Sequence, residues 1–187
     1  MTDETLHETI DEDRRDFIHI AAGAAVVGGA GALAWPFIAQ MLPALDTKAA
    51  SSLEVPVTEI PEGGEIRVLI GGMPFFIRHR TRAEITAAES VDVASLPDPE
   101  TDNERLVALA DGNLKPEILV VSGSCTHLGC VPVGPGSNTG EFGGWYCPCH
   151  GSHYDTSGRI RKGPAPSNLP VPSYEYNADG SAVTISL

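Results

Sequence analysis

The sequence predicts a mainly β head carried on a single N-terminal transmembrane helix. Three observations lead there: an uncharged apolar run near the start, a series of short strand-like segments cut by glycine, proline and aspartate, and two loops that hold all four cysteines. At 187 residues, one modest domain plus an appendage is the natural organisation.

The appendage comes first. Residues 1–16 are charged and polar, and from Phe17 no Asp, Glu, Lys or Arg occurs until Asp46. A helix rising about 1.5 Å per residue crosses a hydrocarbon core of roughly 30 Å in about 20 residues, so the run over 17–42 is long enough to span. His19 and Gln40 are slight polar interruptions, and Pro36 kinks the last turns or marks their end. Just before the run, Asp13-Arg14-Arg15-Asp16-Phe17-Ile18 resembles a twin-arginine export signal, which suits a protein that folds before it crosses. The run exceeds the about 7–15 residues of a cleaved secretory core, and Thr47-Lys48-Ala49 matches Ala-x-Ala poorly, so an uncleaved anchor is expected. Residues 1–16 then stay in the cytoplasm, and the head lies outside the bacterial inner membrane.

Residues 43–52 lack a hydrophobic period and read as a flexible hinge or tether. Such a stretch reaches about 33–36 Å when extended, enough to let a head swing or to act as a plain spacer.

The head, 53–187, alternates short apolar segments with turn residues. Strands are expected over 53–57, 66–70, 75–79, 118–121, 142–146, 171–176 and 183–187. Gly71-Gly72 signals a hairpin between the second and third, and Asp179-Gly180 turns the last pair. A helix is expected over 84–93. The acidic, turn-rich stretch 97–116 reads as a surface excursion with one helical turn over 106–110. From about 123 to 166 the character changes to Gly, Pro, Cys and His with few bulky aliphatics, so this segment needs a metal or disulfide as its source of order.

A net charge of −13 excludes the row of phosphate contacts that a nucleic-acid partner demands. Most of this charge is expected on a solvated surface, where it can also steer the head toward a basic redox partner.

The chemistry lies in Cys125-Thr126-His127-Leu128-Gly129-Cys130 and Cys147-Pro148-Cys149-His150-Gly151-Ser152-His153-Tyr154. Each loop offers one Cys and one His at very short spacing. Two such loops face to face can present two thiolates to one iron and two imidazoles to another, the pattern of a mixed-ligand [2Fe–2S] centre. Spacing alone leaves both Cys147 and Cys149 open as the second loop's sulfur ligand. His7, His19, His79 and His153 lack ligand spacing and are expected to be structural or solvated.

These loops closely resemble the Rieske family, and within it the iron–sulfur subunits of cytochrome bc complexes. The resemblance implies a Rieske-type β head, a base domain with an inserted cluster-binding subdomain near 123–166. It implies a [2Fe–2S] cluster held by Cys125, His127, Cys147 and His150, and a disulfide between Cys130 and Cys149, which would persist in an oxidising periplasm. Replacing two thiolates by neutral imidazoles makes an electron easier to add, which moves such centres to roughly −150 to +300 mV against about −400 mV for plant-type ferredoxins. By resemblance, Ser152 and Tyr154 donate hydroxyl hydrogen bonds to cluster sulfurs and raise the potential further. The same resemblance implies that His150 is the quinol-facing base, that Leu128 shields the cluster and touches quinone, and that Gly163-Pro164-Ala165-Pro166 forms a rigid loop over one side. Ser124 departs from the family, where an apolar residue is expected before the first ligand.

The implied function is electron and proton uptake from ubiquinol and delivery of the electron to cytochrome c1, beside cytochrome b, in a dimeric complex in the lipid bilayer. Two other readings compete. One is the Rieske small subunit of a periplasmic oxidase such as arsenite oxidase, against which the anchor, Ser152 and Tyr154 count. The other is a membrane-tethered binding protein with a structural zinc site, which mixed Cys-x-His arms fit badly.

Overall fold

The computed structural model describes residues 3–41, 51–135 and 140–187, and two compact units, 1–48 and 49–187, divide the chain. In the first, helix α1 (Asp3–Ala39) is continuous through Pro36 and begins well before the expected residue 17. Its last 26 residues, Arg14–Ala39, are long and apolar enough to cross a membrane. Among them Phe17, Ile20, Val27, Leu33 and Phe37 are all exposed. The tether expected over 43–52 lies outside the described residues except at its end.

The second unit holds three antiparallel sheets. Strands β1 (Ser52–Pro56), β9 (Ala182–Ser186) and β8 (Ser173–Tyr176) form one, in the order β1-β9-β8. Strands β2 (Glu65–Ile70), β3 (Met73–His79) and β4 (Ile118–Ser122) form the next, and β5 (Gly143–Cys147), β6 (Ser152–Asp155) and β7 (Ile160–Lys162) the third. Gly71 and Gly72 both take positive φ, which lets the β2–β3 hairpin turn in two residues with Ile70 opposite Met73.

The sheet β2-β3-β4 separates two cores. Phe75, Ile77, Ile118 and Val120 pack with Val55, Tyr174, Val183 and Ile185 on one side. On the other, Phe76, Leu119 and Val121 pack with Trp145, Tyr154, Ile160 and Leu169. Alternation along β3 and β4 sends successive side chains to opposite faces, so each strand feeds both cores.

Several expectations need correction. The helix expected over 84–93 is α2 (Arg82–Glu89), because Thr81 and Glu84 form a reciprocal capping box that starts it earlier; a separate 3-10 turn follows at Val93–Ser95. The helical turn expected over 106–110 is absent. The 3-10 turn is at Asn103–Arg105, and Ala108 instead bridges Leu114 across the Asp111-Gly112 turn. The strand expected over 142–146 begins one residue later, after a 3-10 turn at Gly140–Phe142. The one expected over 171–176 starts only at Ser173, since Pro172 has no N–H for a ladder. Strands β6 and β7 were not expected at all.

The segment 123–166 also contributes to an apolar interior, where its Trp145, Tyr154 and Ile160 pack against Phe76, Leu119 and Val121 of β3 and β4. Nor is all the charge at the surface. Arg80 and Asp102 form a bidentate buried pair, Arg159 pairs with Asp155, and Arg105 reaches the carbonyls of Ser157 and Leu169. Arg105, and Arg159 through the Glu100 carbonyl, tie the excursion at 98–105 to the segment 155–169, while Arg80 fastens Asp102 to the end of β3.

Candidate iron–sulfur site

Both cysteine loops hang from ordered strands. The first leaves β4, where Ser122 N–H donates to the Pro170 carbonyl and Gly123 N–H to Pro74. The second is the connection from β5 to β6. Each closes on itself the same way: Gly129 N–H donates to Cys125 O at 2.8 Å, and Gly151 N–H to Cys147 O at 3.0 Å. Each is a five-residue α-turn, and in each the histidine's backbone N–H faces the sulfur of the cysteine that opens the loop.

Cys125 and Cys147 are free and buried, and Cys130 and Cys149 are joined by a disulfide that staples the loops together. The Cys147 sulfur lies within 4.8 Å of both disulfide sulfurs, but those two are already spent, so the trio is not a three-thiolate site. The rings of His127 and His150 meet edge to face with centroids 4.6 Å apart. His127 is half-buried and His150 exposed.

Burial opposes ionisation of Cys125, but hydrogen bonds from Tyr154, the His127 backbone N–H, Cys147 and Ser152 outweigh it and hold this thiol below the usual cysteine value. Burial, reinforced by the Cys125 sulfur, pushes Cys147 the other way. The phenol oxygen of Tyr154 lies 3.2 Å from Cys125 Sγ, and burial followed by that same sulfur raises its pKa, so it keeps a proton to donate. Ser152 is buried and its hydroxyl oxygen accepts the Ala165 N–H at 3.2 Å.

The proline loop sits on the second cluster loop, and Ser167, just after it, accepts a hydrogen bond from Thr126 of the first. Gly163, at φ +108°, packs so tightly that a Cβ there would stand 2.6 Å from Gly151 O and from Ser152 Cα. Pro164 and Pro166 are exposed, while Ala165 is buried. Leu128 is 71% exposed at the tip of the first loop, so its side chain faces outward. Ser124 is half-buried, with its N–H donating to Ser122 Oγ. His153 packs on Tyr146 and accepts the Glu141 N–H, a structural role.

Sequence reasoning passed over Thr126. Its hydroxyl donates to the Ser167 carbonyl at 2.7 Å and lies 3.3 Å from the Tyr154 oxygen, so it links the first loop, the phenol and the proline loop. The only signal was a hydroxyl standing between two ligand candidates.

Two buried free thiols and two facing imidazoles make a donor set that fits a [2Fe–2S] group. His127 Nδ1 is buried without a hydrogen-bond partner among the described residues, as expected of an atom reserved for a metal.

Comparison with known proteins agrees with this geometry. The family description "Rieske [2Fe-2S] domain" matches residues 53–175, and "Ubiquitinol-cytochrome C reductase Fe-S subunit TAT signal" matches residues 5–44. The chain is 50% identical over 170 residues to the ubiquinol-cytochrome c reductase iron-sulfur subunit of Blastochloris viridis, covering 90% of each. It is 50% identical over 171 residues to that of Rhodospirillum rubrum, again covering 90% of each. It is 45% identical to the mitochondrial cytochrome b-c1 complex subunit Rieske of Bos taurus, over 92% of this chain and 60% of that protein. A chain of a hyperthermophilic respiratory Complex III shares the fold, with TM-score 0.52 at 24% identity over 89% of this chain and 98% of that one. The chain belongs to the Rieske family of ubiquinol–cytochrome c reductase iron–sulfur subunits and carries a [2Fe–2S] domain behind a twin-arginine-type apolar helix.

Proposed function

We propose that this chain takes an electron, together with a proton, from ubiquinol and passes the electron to cytochrome c1. The carrying observation is a pair of free, buried thiols, Cys125 and Cys147, on the same two loops whose histidines, His127 and His150, meet ring to ring, with His150 exposed to solvent. Cys125 and Cys147 would hold one iron, and His127 and His150 the other. A [2Fe–2S] group bound there supplies a one-electron acceptor of higher potential than an all-thiolate centre.

The chain's own residues do the rest. His150, exposed at the tip, offers its remaining ring nitrogen to a quinol hydroxyl and takes up the proton. Leu128 gives an apolar flank for the quinone ring. Tyr154 donates to the Cys125 sulfur, and Ser152 has its own proton to spare for the same side, since its oxygen already accepts from Ala165. The loop 163–166 covers the site from one side and limits water.

In this reading residues 1–16 lie in the cytoplasm and 17–42 anchor the chain in the bacterial inner membrane. Residues 43–52 tether a periplasmic head, 53–187, whose cluster-binding subdomain is 123–166. Cytochrome b and cytochrome c1 are its partners in a dimeric complex.

The test is a spectrum of the purified full chain. Brown protein with about two irons and two sulfides per chain and a paramagnetic signal on reduction supports the proposal. Colourless protein holding a single zinc overturns it. A cluster that persists in Cys125→Ala, His127→Ala, Cys147→Ala or His150→Ala would refute that ligand's assignment.

A further inference from the structure

Trp145 is fully buried two residues before Cys147, and its indole N–H must find an acceptor. It finds one outside the subdomain, in the carboxylate of Glu65 at the start of β2, with Nε1 to Oε2 at 2.9 Å. The Glu65 side chain is only 8% exposed, and its other oxygen accepts from Arg67 Nε at 3.0 Å. Arg67 in turn lies over the Phe76 ring at 5.1 Å, and Phe76 stacks on Trp145 with centroids 5.9 Å apart and planes 3° from parallel. The four side chains close a ring across the boundary between base and subdomain. The same carboxylate also lies against the segment that follows Cys130. A Cβ on Gly134 would stand 2.4 Å from Glu65 Oε1, and Val133 is hydrogen-bonded both ways to Tyr146.

We infer that Glu65 is a positioning residue for the iron–sulfur site: its carboxylate fixes Trp145, and through Trp145 the register of the strand that delivers Cys147. The inference rests on the reading that Cys147 is a ligand. Glu65 is not a ligand candidate, and its hydrogen bond into the subdomain is the one from the Trp145 indole, so its effect on the site is read through that bond. An acceptor oxygen at residue 65, rather than the negative charge, is the required feature, because the indole needs only a lone pair.

The experiment measures chelator-driven loss of cluster absorbance and the visible circular dichroism of the purified full-length holoprotein. Glu65→Ala and Trp145→Phe remove the same hydrogen bond from opposite ends. Each should release the cluster about tenfold faster, the low end of what an outer partner of a ligand contributes. Glu65→Gln, which keeps a carbonyl oxygen for the indole, should stay within about twofold of the parent. The double variant Glu65→Ala/Trp145→Phe should release no faster than either single one, since one bond cannot be lost twice. Unchanged release in Glu65→Ala, equal acceleration in Glu65→Gln, or additive effects in the double variant would overturn the inference. Cys147→Ala serves as the separate control: a cluster retained there refutes the ligand reading itself, whatever Glu65 does.

Discussion

The Tyr154 oxygen stands 3.2 Å from the Cys125 sulfur, so a strand leaving the second cysteine loop delivers its hydroxyl to the sulfur of the first. A donor at this position favours the more negative, reduced state of whatever metal group that sulfur holds. Tyr154→Phe keeps the buried ring and deletes only the donor. If the bond is worth about 1 kcal/mol, the midpoint potential should fall by roughly 40 mV for a one-electron couple. Potentiometric titration of the full-length protein, followed by paramagnetic resonance, checks this, and an unmoved potential rejects the bond's electronic role.

Ser152 should show a double effect. Its oxygen is the acceptor for the Ala165 N–H, and its proton is free for the Cys125 side. Ser152→Ala therefore lowers the potential and also strands a buried N–H, at a cost of about 1–3 kcal/mol in stability. Titration and thermal unfolding measured on one preparation separate the two. A lower potential with no loss of stability would place the Ala165 contact outside the energetics.

Gly163 has no room for a side chain against Gly151 and Ser152, and its φ lies where other residues are strained. Gly163→Ala should lift the proline loop from the second cysteine loop while leaving β1, β8 and β9 intact. Faster cluster bleaching by external oxidants, with unchanged far-ultraviolet circular dichroism, is the expected result.

Asp102 carries a pH dependence. Burial pushes its carboxyl up, but the bidentate bond and charge of Arg80 and the Ser157 hydroxyl outweigh this and hold it below the ordinary carboxylate value. Its stabilising contribution is then fully present above the unfolded value of about 3.9 and is lost as pH falls through the lower folded value. Asp102→Asn should lack that part of the acid slope. It should also be less stable at neutral pH by about 3–5 kcal/mol, because Arg80 is left buried without its counter-charge. Denaturant melts across a pH series measure both.

The cysteine loops were plain in the sequence because metal chemistry confines its ligands to short local spacings. The hairpin at Gly71-Gly72 and the apolar helix were equally legible, since each is written in neighbouring residues. The strands β6 and β7 were not. Their apolar content is carried by Tyr154 and Ile160 among Ser, His, Asp, Arg and Lys, too sparse for any alternation to stand out. The burial of Arg80, Arg105 and Arg159 was not legible, because most of what holds them inside lies far along the chain: Asp102 is 22 residues from Arg80, the Leu169 carbonyl 64 from Arg105 and the Ala88 carbonyl 71 from Arg159. Glu65 was invisible for the same reason: nothing near it in sequence announces an indole 80 residues on.

Strand β3 gives Phe75 and Ile77 to one interior and Phe76 to the other, and β4 divides Ile118 and Val120 from Leu119 and Val121 in the same way. A partition shared this intimately cannot be withdrawn from one compartment without collapsing its neighbour. Heat should therefore dismantle the head in a single calorimetric peak, with iron loss coinciding with it, and damage to a methyl group facing away from the metal should still be felt there.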